Sequence, residues 1–350
     1  MAIFYYCPFS PKPNGGNKQI HRHVTALHAA GFDAYVLVEH ANSTYWFQTT
    51  APVAAMKHSV LQQAVHAVKR RSNPLSWLRT ARAPVVMVQR DGKRTDLQIG
   101  PEDVIVVPEF YGKRLQMPAF DARVVIFNQN AHYTYLGFSP TDELRQFPYL
   151  DRKLLGVLAV SEHIVEYLRF AFPNLDLNLT RNGVDTALFA PAAVKRRQIA
   201  YMPRKLSRDL VQVLQILRGR GSLEGWSLAG IDSMTEAQVA KIMSESAFFL
   251  STCDSEGFGL PPLEAAACAC TVVGYTGYAA REFMLPQYCY PIEQGNVLEF
   301  AARLEGLLKA YDQGPATLQR QAMDHATFVR ERYAAGREAA DVVAAWSRWV

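Results

Sequence analysis

Residues 255–274 read SEGFGLPPLEAAACACTVVG. Glu256 and Glu264 stand eight positions apart in it, separated by Gly257, Phe258, Gly259, Leu260, Pro261, Pro262 and Leu263. The two glycines let the backbone turn tightly and come close to a ligand. The two prolines suit the first helical positions, where a missing N–H is no loss. With FFLST (248–252) before it, the stretch predicts a strand, a glycine loop and a helix. Such a helix directs free amides and a partial positive charge back into the loop, which favours a phosphate or a polar ring there. Glu264, in the predicted first turn, complements that charge, and ionised carboxylates accept hydrogen bonds from hydroxyl groups. The plainer alternative leaves Glu256 as a solvated loop residue and Glu264 as a partner of the helix dipole only.

Outward from this point, strand-like apolar runs alternate with segments of helical period, the pattern of a parallel sheet covered by helices. IFYYCPF (3–9) predicts a buried strand, PKPNGGN (11–17) a loop, and KQIHRHVTALHAAG (18–31) a helix with Ile20, Val24 and Leu27 on one face. AYVLVEH (34–40), VVMVQ (85–89), DVIVVPE (103–109), RVVIFNQN (123–130) and GVLAVS (156–161) continue the first sheet, and Ser161 caps a helix bearing Ile164, Val165, Leu168 and Phe172. NGVDTALFAP (182–191) and the basic run 195–197 read as a linker. Beyond it come the strand QIAYM, the helix SRDLVQVLQIL, the strand WSLAGI and a helix opened by a Thr235–Gln238 capping box. The expected fold is α/β, with two doubly wound lobes, residues 1–190 and 191–328, and a final helix in 329–350. Ligand is expected where strand carboxyl ends face the cleft between lobes.

Composition narrows the function classes. Of 350 residues, 49% are hydrophobic, enough for more than one core. The net charge of +5, from 37 basic and 32 acidic residues, is too mild for a nucleic-acid binder and compatible with an anionic small molecule. Cys7, Cys253, Cys268, Cys270 and Cys289 have neither disulfide-framework nor zinc-ligand spacing and read as reduced core residues. The start MAIFYYCPFSPKP lacks the pattern of a signal peptide, and no run approaches the roughly 18 apolar residues that span a bilayer, so a cytoplasmic location is expected.

The chain resembles the retaining glycosyltransferases of the GT-B fold, in particular family four. SEGFGLPPLEAAACACTVVG is similar in kind and spacing to that family's E-x7-E signature, and the PKPNGGN loop, AVSEH, RNGVDTALFAP and YTGYAARE match other parts in order over most of residues 1–290. The resemblance implies two Rossmann-like lobes facing across a cleft, a last helix crossing back to the first lobe, and a nucleotide sugar as donor. It implies that Glu256 contacts the donor sugar and Glu264 the ribose, with Gly257, Phe258, Gly259 and Leu260 between them. It also implies a basic pair in YMPRKLSRDL that neutralises the diphosphate: Arg204, with Arg208 or Lys205 as its partner. Basic residues at a helix start oppose the dipole, which favours a purpose beyond solvation. Gly15 and Gly16 are expected to let the first-lobe loop close over phosphate or sugar, a plain turn being the alternative. His132, in FNQNAHYTYLG, is similar in position to a histidine near the sugar in some members, and Asn130 and Asn182 are weaker candidates of the same kind.

Departures from the family pattern are Ala269 in place of glycine, Thr271 in place of proline, and Tyr278 and Ala279 in a stretch richer in glycine. Between Arg208 and Glu256 there is one strand-and-helix unit fewer than the family has, so a trimmed nucleotide-facing edge is expected. No metal triad and no cofactor are expected. Residues 57–82 carry an apolar stripe, a basic run at 69–71 and Trp77, suited to peripheral contact with an anionic membrane or to packing on their own domain. The expected activity is metal-independent, retaining transfer of a sugar from a nucleotide diphosphate to a glycan or lipid-linked acceptor. Its rivals are a nucleotide-sugar epimerase on the same fold and a degenerate nucleotide-sugar-binding or scaffold subunit.

Overall fold

The computed structural model describes residues 1–10, 14–39, 46–57, 75–80, 82–90, 93–144 and 147–350. These form two compact units, one of Met1–Thr180 with Ala339–Val350 and one of Arg181–Glu338.

In the first unit, β1 (Ile3–Tyr6), β2 (Ala34–Val38), β3 (Val53–Met56), β4 (Val85–Arg90), β5 (Lys93–Gln98), β6 (Val104–Pro108), β7 (Arg123–Asn128), β8 (Leu154–Ala159) and β9 (Leu177–Leu179) make one sheet in the order β5-β4-β3-β2-β1-β6-β7-β8-β9. β1 pairs in parallel with both β2 and β6, so the chain winds one way from β1 and then returns to the other side. The central strands are apolar on both faces and fully buried, as parallel strands covered by helices must be. β4 and β5 run antiparallel at the edge, and the exposed, polar β5 guards that edge against pairing. Helix α1 (Gly15–Ala29) follows β1, and α2 (Glu162–Ala171) follows β8 with Ser161 accepting from the Ile164 amide.

The second unit has β10 (Arg196–Tyr201), β11 (Ser227–Gly230), β12 (Ser246–Glu256), β13 (Thr271–Tyr278) and β14 (Tyr290–Ile292), all parallel, in the order β11-β10-β12-β13-β14. Helices α3 (Ser207–Gly219), α4 (Glu236–Glu245), α5 (Leu260–Ala267), α6 (Val297–Gln313) and α7 (Ala316–Arg332) connect and cover them. One core packs Ile199, Val213, Phe248 and Leu250 with Phe300 and Leu304 from α6. Between α3 and β12 lie one strand and one helix, and the latter opens with the reciprocal Thr235–Gln238 capping box.

The closing segment is two helices where the sequence predicts one. α7 stops at Arg332, Val184 bridges to Ala334, and α8 (Ala335–Trp346) begins anew. From Ala339 onward the chain belongs to the first unit: Trp346 is fully buried and donates Nε1–H to the Tyr5 hydroxyl at 2.8 Å, and Trp349 donates to Asp176 at 2.6 Å. Gly156 makes room for this docking, because a Cβ there would lie 2.5 Å from the Trp349 ring. All five cysteines are buried and free.

Most of the segment weighed for membrane contact, residues 58–74 and 81, lies outside the described residues. Its tryptophan is not interfacial: Trp77 is 3% exposed, with its ring 5.4 Å from Tyr6 and 6.4 Å from Phe120, so it serves the core of the first unit. Among the described residues no helix is long and apolar enough to cross a membrane.

Candidate functional site

The second sheet changes winding direction at β10 and β12, which are neighbours although β11 separates them in sequence. In an open α/β sheet, strand carboxyl ends at such a point make the natural ligand crevice. β10 ends at Tyr201 and delivers Arg204 and Lys205; β12 ends at Glu256. The Lys205 ammonium donates to Glu256 Oε1 in a close ion pair, joining residues 51 positions apart. Lys205 is half exposed, so water weakens the pair and leaves it exchangeable. Arg204 lies beside the β11 loop, with its Nε 4.0 Å from Asp232. Arg208 is an exposed residue in the first turn of α3.

A β-bulge aims Glu256. Cys253 is opposite Thr276 and Glu256 opposite Tyr278, so Asp254 and Ser255 on β12 face Gly277 alone on β13. Such a bulge bends the strand and redirects the side chain that follows. Gly277 is obligatory here: its φ is +56°, and a Cβ would sit 2.9 Å from Cys253 Cβ and 3.1 Å from Glu256 Cγ. Backbone strain gathers along the same edge. Leu206 (φ 41°), Ser233 (φ 53°), Ser255 (φ 47°) and Tyr278 (φ 73°) follow or end β10, β11, β12 and β13 in turn. Each such residue costs on the order of 1–3 kcal/mol and persists only where its surroundings fix it. At Tyr278 the Arg281 guanidinium lies 5.1 Å from the ring centroid, a contact that returns about 0.5–1 kcal/mol at an exposed site.

After Glu256 the chain makes the glycine turn. Gly257 is buried, and Gly259 (φ +92°) is the residue from which α5 starts, where a Cβ would lie 3.1 Å from Ala280 Cβ and 3.4 Å from Pro262 Cγ. Phe258 anchors the loop by its ring, which is 3% exposed and packed on Phe283 and Tyr333. Phe258 is therefore placed to offer a ligand its backbone amide rather than its ring. Leu260 is the first helical residue, partly exposed. Glu264 is the fifth helical residue and not in the first turn, so its complement to the helix dipole is weaker than the sequence reading holds. Burial pushes the Cys253 thiol up to about 12, with the Glu256 charge adding to it, which removes Cys253 as a nucleophile. The buried Tyr275 hydroxyl donates to Asp209 at 3.1 Å and fixes the start of α3; burial and then the Asp209 charge raise its pKa.

Ala269 also has positive φ, 56°, but for another reason. It ends α5 in a Schellman turn, with Ala269 N–H on Ala266 O at 2.9 Å and Cys270 N–H on Ala265 O at 3.0 Å. Its methyl packs on Ala322 and Ala326.

In the first unit a second cluster forms where β1 meets β6, the winding switch of that sheet. Gly15 and Gly16 begin α1 itself, the sequence having placed them in a loop; Asn14 caps it by accepting from Gly16 N–H at 2.8 Å. A Cβ on Gly16 would stand 3.2 Å from the Gln129 side chain, so Gly16 permits a close approach of β7's end to α1. Asn130 accepts from the His132 amide at 3.0 Å, and exposed His132 has its ring 5.7 Å from that of His163. Asn182 is buried, in the second unit.

Glu109, which sequence reasoning missed, binds the first cluster together. It follows β6 directly, is 2% exposed, and accepts from the backbone amides of Gln129 and Asn130. Oε2 has no hydrogen-bond partner among the described residues. Burial pushes its carboxyl up to about 8 against those amide bonds. The available signal was a lone acidic residue closing a wholly apolar strand, VIVVPE.

Comparison with known proteins now adds a family. Residues 231–324, which hold β12, its bulge, the glycine turn and α5, match the model of "Glycosyl transferases group 1". This stretch of the chain is similar to the group 1 glycosyltransferases. The chain is 28% identical over 212 residues to an alpha-1,6-glucosyltransferase of Actinobacillus pleuropneumoniae serotype 7 (strain AP76), covering 56% of this chain. The match spans 58% of that curated relative's length. Among solved structures, a point mutant of S. aureus TarM in complex with fondaparinux, alpha-GlcNAc-glycerol and UDP is similar with a TM-score of 0.65, at 12% identity over 99% of both chains. The pneumococcal O-GlcNAc transferase GtfA in complex with UDP and GlcNAc is similar with a TM-score of 0.60, at 9% identity over 100% of this chain and 99% of that one. At such identities the likeness is one of fold: GT-B, with two parallel-sheet Rossmann-like units.

Proposed function

We propose that this protein is a retaining glycosyltransferase that moves a sugar from a nucleotide-diphosphate donor to a glycan or lipid-linked acceptor, without a metal ion, in the making of a surface polysaccharide or glycolipid. The observation that carries the reading is the meeting of Lys205 with Glu256 at the winding switch of the second sheet, beside the start of α5. In this reading Arg204 and Lys205 take the diphosphate, Lys205 exchanging its bond to Glu256 for one to phosphate. Arg208 is the alternative second cation. The amides of Gly257, Phe258, Gly259 and Leu260 add fixed dipoles at the same place. Glu256, released, accepts hydroxyl protons of the sugar, and Glu264 those of the ribose.

The chemistry asked of these groups is electrostatic. The bond from the anomeric carbon to the phosphate oxygen breaks, and its electron pair leaves with the diphosphate. The acceptor oxygen bonds to the same face, and its proton passes to the departing phosphate. Fixed cations and amides aimed at the charge that develops are the largest contribution a protein makes to such a step. In the first unit, Gly15 and Gly16 are read as closing over the phosphate or sugar, with His132 and, more weakly, Asn130 near the transferring sugar.

Support for a uridine nucleotide comes from TarM and GtfA, both solved with UDP, and for glucose from the Actinobacillus relative. The test is a thermal-shift screen with UDP, GDP, TDP and CMP and their sugars, followed by donor hydrolysis with and without EDTA. A ligand at 100 times its Kd adds about 2.7 kcal/mol to the folded state. Glu256→Ala and Arg204→Ala are expected to abolish turnover, and EDTA to leave it intact. Unchanged turnover and donor binding in both variants refutes the site.

A further inference from the structure

We propose that Glu109 is a positioning residue for sugar transfer: its buried side chain holds the turn that follows β7 and, through Asn130, sets the place of His132. This rests on the reading above that puts His132 near the transferring sugar.

The sheet ends before this turn begins. β7 pairs with β6 as far as Phe127 and with β8 as far as Asn128. The amides of Gln129 and Asn130 therefore lie beyond both ladders and need an acceptor of another kind. Glu109 supplies it. It follows β6 directly, is 2% exposed, and its carboxyl accepts from both of those amides as well as from its own. With Oε2 unpartnered among the described residues, what the carboxyl grips is backbone.

Asn130 carries the restraint onward. Its amide is tied to Glu109, and its side-chain oxygen accepts from the His132 amide at 3.0 Å, opening the short helical turn Ala131–Tyr133. The far end is tied as well: fully buried Thr134 accepts from Asn128 Nδ2 at 3.1 Å, and the same nitrogen donates to the Tyr149 hydroxyl at 2.7 Å. Between Asn128 and Thr134 only His132 and Tyr133 are exposed, so the buried polar groups present these two side chains to solvent from a turn fixed at both ends. Without the Glu109 acceptor two amides lose their partner, and the turn must rearrange to satisfy them. A displacement of about 1 Å at a group that meets the substrate costs up to about a hundredfold in rate.

The test follows hydrolysis of UDP-glucose and of GDP-mannose, by release of the nucleoside diphosphate, in the wild type, Glu109→Met, Glu109→Gln, His132→Ala and the double variant Glu109→Met/His132→Ala. Met matches glutamate in length and lacks the acceptor, whereas Gln restores it. His132→Ala and Glu109→Met are each expected to lower kcat at least tenfold with the donor KM within threefold, and Glu109→Gln to keep kcat within threefold of wild type. The double variant should be within twofold of its slower parent, since residues that act through one another are not additive. Multiplied losses in the double variant, an unchanged kcat in Glu109→Met, or a loss in Glu109→Gln equal to that in Glu109→Met overturns the proposal and leaves the His132 reading standing. An unchanged kcat in His132→Ala overturns both. Should Glu109→Met not fold, Asn130→Ala, which cuts the same link one step on, takes its place, with the same deciding results for kcat and for the double variant. If the wild type hydrolyses neither donor, the donor-site reading falls with them.

Discussion

Replacing Glu109 by Gln should remove a pH dependence of stability that the fold builds in. The folded carboxyl keeps its proton up to about pH 8, whereas an exposed one releases it near 4.5, because burial outweighs the amide hydrogen bonds to Gln129 and Asn130. Between those values the folded protein binds one more proton than the unfolded chain, so stability falls as pH rises, by up to ~1.4 kcal/mol per pH unit. From pH 5.5 to 7.5 the loss assigned to this group is about 2–3 kcal/mol, the slope flattening as pH approaches 8. Gln is isosteric, still accepts from the two amides, and does not titrate. Urea unfolding of both proteins across pH 5.5–8.5 measures the difference directly. Buried His21, His23 and His325, held below their ordinary pKa by burial, give the opposite slope below about pH 6.5, but they are common to both proteins and cancel. Parallel stability curves for the wild type and Glu109→Gln refute the reasoning, because they mean that Glu109 is ionised in the fold.

Three further substitutions test the frame around the site. Gly277→Ala forces a left-handed alanine against Cys253 and Glu256; it should cost about 2–5 kcal/mol in urea unfolding and weaken nucleotide-sugar binding as well. Trp346→Ala empties a fully buried site and removes one of the Tyr5 hydroxyl's two partners, leaving His23 Nδ1 at 3.3 Å, with an expected loss of about 3–5 kcal/mol; a loss below about 1 kcal/mol argues that α8 adds little to the first unit. Ala269→Gly relieves about 1–2 kcal/mol of left-handed strain but gives up a buried methyl and adds chain entropy, so its melting temperature should stay within a few degrees of wild type.

How much of this was legible in the sequence depended on range. The strands with continuous apolar runs and the caps at Ser161 and Thr235 were readable because their signals are local, each within a few residues. β5 was not, since KRTDLQ is exposed and polar and takes its strand geometry from pairing with β4. The three-residue strands β9 and β14 are too short to show a period. At the site, the glycine turn and the prolines of α5 were readable for the same local reason. Which of Lys205 and Arg208 joins Arg204 at the diphosphate stayed open, and the meeting of Lys205 with Glu256 was not legible, because it depends on β10 and β12 being neighbours in the sheet. Glu109 showed only as a lone acidic residue closing the apolar run VIVVPE; its partners are amides 20 and 21 positions away, and backbone donors leave no mark in a sequence.

Ala269 and Tyr278, two of the positions where the chain departs from the glycine-rich pattern of the family it resembles, are physically unlike. Ala269 and Tyr278 both hold positive φ, so each carries a strain that glycine lacks. At Ala269 the side chain recovers it inside the fold: the residue closes α5 with both Schellman hydrogen bonds and its methyl is buried on α7. Tyr278 is 38% exposed at the register position opposite Glu256, with the Arg281 guanidinium 5.1 Å from its ring centroid. The other strained non-glycine residues, Leu206, Ser233 and Ser255, lie along the same carboxyl edge of the second sheet as Tyr278. The conformational cost is therefore concentrated where Lys205 meets Glu256, and it marks that edge independently of any motif.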